Sequence, residues 1–176
     1  MSRKGVPLSV GFPPVADSRA RVLVLGSLPG RRSLDAREYY AQPHNAFWRI
    51  MGRLFGAEPL LPYEQRLERL RAARVALWDV LAAGEREGSL DASIVPASVV
   101  VNDFVSFFAG HRDIDLICFN GRTAAELYRR RVVPQLPPEP AGLTTRLLPS
   151  TSPAHASLRF EQKLARWAGA LESLRV

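Results

Sequence analysis

Short apolar runs alternate along this chain with longer segments whose hydrophobic positions recur every three or four residues. The runs Arg21–Leu25, Val75–Leu81, Ile114–Phe119 and Thr145–Leu148 predict strands, the first two of them buried. Helical spacing predicts a helix over Asn45–Phe55, with Phe47, Ile50, Met51, Leu54 and Phe55 inward. A second over Tyr63–Arg74 turns Leu67 and Leu70 inward and its arginines outward. Asn102 is the expected cap of a helix over Asp103–Ala109, and Thr123–Arg131 forms another. In the last helix, Arg159–Leu174, the residues Phe160, Leu164, Trp167, Leu171 and Leu174 share one face, with Lys163 on the outer one. Residues 1–20 carry Gly5, Pro7, Gly11, Pro13 and Pro14 and no period; they predict an extended lead-in, packed on the body and frayed at its start. Gly84–Ser89 and Pro134–Gly142 predict loops.

Strands alternating with helices predict a three-layer α-β-α fold around a central, mostly parallel four-stranded sheet, with residues 1–176 as a single domain. In such a sheet the carboxyl ends lie on one edge, so the turns at Gly26, Asn120 and Ser150 converge there. The first turn, Gly26-Ser-Leu-Pro-Gly30, brackets a proline with glycines, which lets the backbone approach a ligand closely. It leads into a segment bearing Tyr39, Tyr40, His44, Asn45, Phe47 and Trp48, the contents of a binding crevice.

Composition narrows the picture modestly. Of 176 residues, 47% are hydrophobic and 23% charged, as in ordinary globular domains. With neither a membrane-length apolar run nor a signal-like N-terminus, the expectation is a cytoplasmic protein with no membrane partner. Cys118 is the only cysteine, which excludes an internal disulfide and suits a buried thiol in a strand. Three scattered histidines do not make a metal site, so neither metal nor cofactor is expected. Twenty-four basic against 17 acidic residues give a net charge of +7, which suits a polyanion such as nucleic acid.

The ordered motifs Gly26–Gly30, Tyr39–Trp48, Leu77-Trp-Asp-Val80, Ser89–Ile94, Asn102-Asp-Phe104, Phe119-Asn-Gly121 and Leu148–Ala154 carry a resemblance. The chain resembles the uracil-DNA glycosylase superfamily, and most closely its hypoxanthine-DNA glycosylase branch, from about Gly11 to Leu174. That resemblance implies hydrolysis of the N-glycosidic bond of a deaminated base flipped out of duplex DNA, hypoxanthine first and uracil second. A uracil or thymine mismatch glycosylase, and a catalytically weak binder of damaged DNA, are the alternatives. The expected partner is double-stranded DNA bearing a deaminated base, met by a monomer.

The resemblance also assigns roles. Many relatives carry an Asp or Asn where Leu28 stands, and use it to activate the water. Here the catalytic role passes to Asn45, whose plainer alternative is a helix N-cap. Asn120 is expected to contact the base, or else to make an Asn-Gly turn. Tyr40 stacks on the base or forms a wall of the core, while Phe47 and Trp48 belong to the core. The main chain near Ser27 and Leu28 offers amides to the base. Ser150, Thr151, Ser152, Pro153, Ala154 and His155 form the loop that enters the minor groove. His155 replaces the usual Asn of this branch, and Ser150 the His or Asn of the wider superfamily. Arg31, Arg32, Arg122 and Arg159 flank these loops and are expected either to meet DNA phosphates or to be solvated arginines of a basic protein. No lysine lies in a motif, so simple hydrolysis without strand cleavage is expected.

Overall fold

A computed structural model describes residues 5–175. Its centre is the parallel sheet β3-β2-β6-β7, built from β2 (Val22–Gly26), β3 (Val75–Asp79), β6 (Leu116–Asn120) and β7 (Thr144–Leu148). Every residue of β2 and β3 is buried, as an uninterrupted apolar run requires when both faces of a sheet are covered. Alternate residues serve different cores. Val22 and Val24 pack with the helices α2 (Phe47–Phe55), α3 (Tyr63–Ala72) and α7 (Phe160–Ala170). Leu23 and Leu25 pack with α4 (Phe104–Gly110) and α5 (Arg122–Leu127) on the opposite face. Phe47, Ile50 and Met51 point inward as their spacing predicts, and so do Trp167 and Leu171. Cys118 is fully buried in β6, and burial pushes its thiol up to about 12. Two short helices, α1 (Arg31–Ala36) and α6 (Pro138–Ala141), complete the set; α6 puts one turn of helix in the expected Pro134–Gly142 loop.

Several expectations need correction. Val75–Leu81 is not one strand: β3 ends at Asp79, and β4 (Leu81–Glu85) leaves in another direction. Val80 and Leu81 donate to the Gly26 and Ser27 carbonyls, at 2.9 and 3.0 Å, which fixes the bend at the sheet edge. With β1 (Leu8–Val10) and β5 (Val100–Val101), β4 makes a second, antiparallel sheet of order β1-β4-β5. The lead-in therefore contains a strand, and Val15 also bridges to Leu77. The fraying expected at residues 1–4 lies outside the described residues.

Three side chains also depart from expectation. Asp103, not Asn102, caps α4 by accepting from the Ser106 amide at 3.0 Å. Arg66 is buried rather than outward: it pairs with Glu38 at 3.1 Å and lies over the Trp48 ring. Lys163 is buried too, with Nζ donating to the Ser152 carbonyl at 3.3 Å. Its methylene stem covers apolar surface while the ammonium finds an acceptor. Burial lowers its affinity for the proton.

Candidate active site at the strand ends

The parallel registers align Gly26 with Asp79 and Asn120 with Leu148, so all four strands end along one edge. Over that edge opens a cavity of about 680 Å³. Ser27, Leu28, Tyr40, Asn45, Asn120 and residues 150–155 all line it, so one site gathers the expected catalytic, base-contacting and loop positions; of the four flanking arginines only Arg32 joins them. The lip from Ser89 to Ala92 and the strand-end residue Asp79 join them.

Asn45 stands just before α2. Its side-chain oxygen accepts from the Phe47 amide at 2.9 Å, as a residue opening a helix can. The N-cap position itself is Ala46, so Asn45 closes the turn ahead of the helix rather than capping it, and the bond fixes which end of its amide is free. Nδ2 remains for a ligand, and it only donates. The next amide, that of Ala46, donates to the Thr151 carbonyl at 2.9 Å, tying this turn to the 150–155 loop. Asn120 is occupied on the same loop. Its Oδ1 accepts from the Thr151 amide and its Nδ2 donates to Thr151 Oγ1, both at 2.9 Å. The Asn120 side chain also lies against the Tyr40 hydroxyl.

Tyr40 has φ 55°, a left-handed conformation that a bulky residue rarely adopts. Phe47 covers one face of its ring, with centroids 4.1 Å apart. Leu28 is buried against the core that contains Leu25 and Trp78, so its side chain does not plug the cavity. The Leu28 and Pro29 carbonyls are held by the Arg86 guanidinium, itself 1% exposed; the Leu28 bond is 3.4 Å. Arg86 also faces Asp91 at 3.9 Å, and the Ser27 hydroxyl donates to Asp91 at 2.6 Å. Burial raises the Asp91 carboxyl, opposed by the Ser27 bond and by Arg86.

The 150–155 loop is braced from behind by α7. Trp167 Nε1 donates to the Pro149 carbonyl at 3.0 Å, and Lys163 holds Ser152. Gly121, at φ 94°, lets the chain pass close to Ser150, whose Cβ would lie 3.1 Å from an added methyl. His155 approaches Ser157 at 3.3 Å near the mouth, and Arg31, Arg32, Arg122 and Arg159 are exposed. Among the described residues no three His, Cys, Asp or Glu side chains gather as metal ligands would, and no helix is long and apolar enough to cross a membrane.

Asp79 is the functional candidate that sequence reasoning passed over. The residue is 4% exposed among those lining the cavity, and Oδ2 has no hydrogen-bond partner. Burial, then the negative charge of Asp91, pushes it up to about 7, with Arg86 opposing. The signal was there: a charged residue closing an apolar strand directly beside Gly26.

The family model of the uracil DNA glycosylase superfamily matches residues 13–175. A hypoxanthine DNA glycosylase of Methanosarcina acetivorans is 40% identical over 150 residues, covering 82% of this chain and 87% of that protein. The hypoxanthine DNA glycosylase of Methanosarcina barkeri is 39% identical over 117 residues, or 66% of this chain and 73% of that one. A solution NMR structure from Methanosarcina acetivorans, described as a candidate uracil DNA glycosylase, superposes with a TM-score of 0.79 at 37% identity. The superposition covers 97% of this chain and all of that one.

Proposed function

Because the chain belongs to the uracil DNA glycosylase superfamily, we propose that it is a monofunctional DNA glycosylase that removes hypoxanthine, and secondarily uracil, from duplex DNA. Water adds its oxygen to C1′ of the deoxyribose, the C1′–N bond breaks, and the proton released by the water ends on the departing base. The base must first leave the stack and enter a pocket. The open side of Tyr40 offers it a platform, since Phe47 backs the other face. The 150–155 loop fills the gap in the duplex, held rigid by α7. The oligomeric form that suits one enzyme wrapping one lesion is a monomer.

The observation that carries this reading is the orientation of Asn45. A group that only donates, set beside an aromatic platform in a sheltered cavity, suits the electron pair that the breaking bond leaves on the base. It equally holds a water by its oxygen. With the Leu28 side chain in the core, water activation does not come from the first turn. Strand cleavage would need an amine at C1′; the Lys163 amine rests on the Ser152 carbonyl and is not among the cavity's lining groups. Hydrolysis without lyase action is the consistent outcome.

The test is single-turnover excision on duplexes holding one deoxyinosine, deoxyuridine or deoxyxanthosine, followed by alkaline cleavage. Deoxyinosine is cut fastest, Asn45→Ala lowers the rate about 100- to 1,000-fold, and omitting the alkaline step leaves the strand whole. A purified, folded protein that releases none of these bases would refute the reading.

A further inference from the structure

One carboxyl of the cavity is anchored through a single oxygen. Asp91 opens the short turn Asp91–Ser93 on the lip, yet it is tied to the first turn. Its Oδ1 takes both contacts: the Ser27 hydroxyl donates to it at 2.6 Å, and Arg86 Nη1 lies 3.9 Å from the same atom. Among the described residues nothing bonds Oδ2, and the side chain is 42% exposed where it lines the cavity. The lip is fixed from a second side, since Ser89 Oγ accepts from the Arg31 amide at 3.0 Å. A carboxylate with one oxygen held and the other free keeps acceptor capacity for a ligand.

We propose that Asp91 is the general base of the excision, its Oδ2 taking a proton from the water that attacks C1′. The inference rests on the glycosylase reading above. As the water oxygen bonds to C1′, its proton passes to Oδ2 and the C1′–N electron pair leaves with the base. The proton then passes from Asp91 through solvent to the departing base, so the carboxylate is regenerated and nothing further is consumed. Asn45 complements it on the same water. Its Nδ2 donates to one lone pair, Asp91 accepts one hydrogen, and the second lone pair is left for C1′. The carboxylate also suits the positive charge that grows on the sugar as the bond breaks.

The groups facing Asp91 sort the cavity's two carboxyls. Burial raises the Asp91 carboxyl, but the Ser27 bond and then Arg86 oppose that rise. Asp79 has no partner on Oδ2, and burial, then the Asp91 charge, pushes it up to about 7. The Tyr40 hydroxyl near both is a neutral phenol. Asp79 is therefore the one that holds a proton, and Asp91 the one kept ionised to accept one.

Single-turnover excision of deoxyinosine from about pH 4 to 8 tests the assignment. In the wild type, excision falls as pH drops and Asp91 becomes protonated. Asp91→Asn keeps an acceptor for Ser27 but cannot take a proton. Its excision drops about 100-fold or more and the acid limb disappears, whereas Asp79→Asn, which silences the neighbouring titration, keeps that limb. Asp91→Ala is equally impaired, and added formate, a carboxylate small enough for the vacated space, restores part of its rate. Both Asp91 variants bind a duplex containing a tetrahydrofuran abasic analogue like the wild type, which shows that the lip still forms. Excision by Asp91→Asn within about threefold of wild type, or an acid limb that survives in it, overturns the proposal. Formate without effect on Asp91→Ala does so equally, as does loss of abasic-duplex binding in both variants, which would make Asp91 a strut of the lip. Failure of the wild type on every deaminated base instead removes the glycosylase reading itself.

Discussion

Asn45 and Asp79 show how little a residue's name says until its hydrogen bonds are known. The Asn45 amide faces both ways in sequence, yet its oxygen is committed to Phe47, which leaves a donor. Asn45→Asp therefore separates the turn's hydrogen bond from the chemistry. The carboxylate still accepts the Phe47 amide, so urea unfolding stays within about 1 kcal/mol of wild type, while excision is lost as fully as in Asn45→Ala because no N–H remains. Asp79 has a matching signature in stability. Its pKa of about 7 lies above the ordinary carboxyl value of 3.8, so between those values the folded protein holds a proton that the unfolded chain has released. Stability consequently falls as pH rises through this window, by up to about 4 kcal/mol. Asp79→Asn removes the dependence: its melting temperature exceeds the wild type's at pH 8.5 and approaches it at pH 4.5, a difference read by thermal denaturation at the two values. Equal shifts at both would show that Asp79 titrates normally. Asn45 and Tyr40 were legible in the sequence because they stand in turns, and Asn120 because it closes a strand ahead of Gly121, places where polar and aromatic residues invite a functional question. Asp79 was hidden inside a run that reads as strand, and Lys163 lay on a helix position whose burial depends on the neighbouring Ser152 loop.

Among elements, the bend between β3 and β4 organises the site. The apolar run Val75–Leu81 shows no punctuation at Val80, so a continuous strand was the natural reading. What ends β3 is tertiary: the Gly26 and Ser27 carbonyls take the Val80 and Leu81 amides, and the Val80 carbonyl takes the Asn102 amide at 3.0 Å. The bend sends β4 away from the main sheet and returns Arg86 under the Ser27–Gly30 turn. The parallel order of the main sheet was legible from alternation alone, whereas the antiparallel sheet was not, since its strands are short and partly exposed. Arg86 makes this arrangement testable. Arg86→Met leaves the buried Leu28 and Pro29 carbonyls unpaired, with an expected loss of about 2–4 kcal/mol in urea unfolding. Excision should fall even at temperatures where the variant is fully folded, because the turn carrying Ser27 is no longer fixed. Arg86→Lys should not restore it, since one ammonium cannot span the two carbonyls and Asp91 as a planar fork does. Wild-type excision in a folded Arg86→Met protein would show that the clamp matters to stability alone.

For the molecule as a whole, the question is how a net charge of +7 is spent. Composition indicates a field, not a footprint, and the sequence was legible only that far. The fold supplies the direction. Because the strands are parallel, the loops that follow them share one edge; Arg32 lines the cavity there, and Arg31, Arg122 and Arg159, adjacent in sequence to those loops, are exposed. Arg69 is also exposed, but it stands near the end of α3, just before β3 begins, at the far edge of the sheet. A duplex seated over the cavity would touch the first group and not the second. Each phosphate neutralised releases condensed counterions, so the slope of log affinity against log salt counts contacts. Anisotropy titrations of an abasic-analogue duplex from 50 to about 300 mM salt should give a steep slope for the wild type. Arg31→Ser with Arg32→Ser should reduce that slope by about two, one per lost contact, whereas Arg69→Ser should leave it intact. If Arg69→Ser flattens the slope as much as the mouth variants do, attraction is spread over the whole surface and the strand-end edge is not the face that meets DNA.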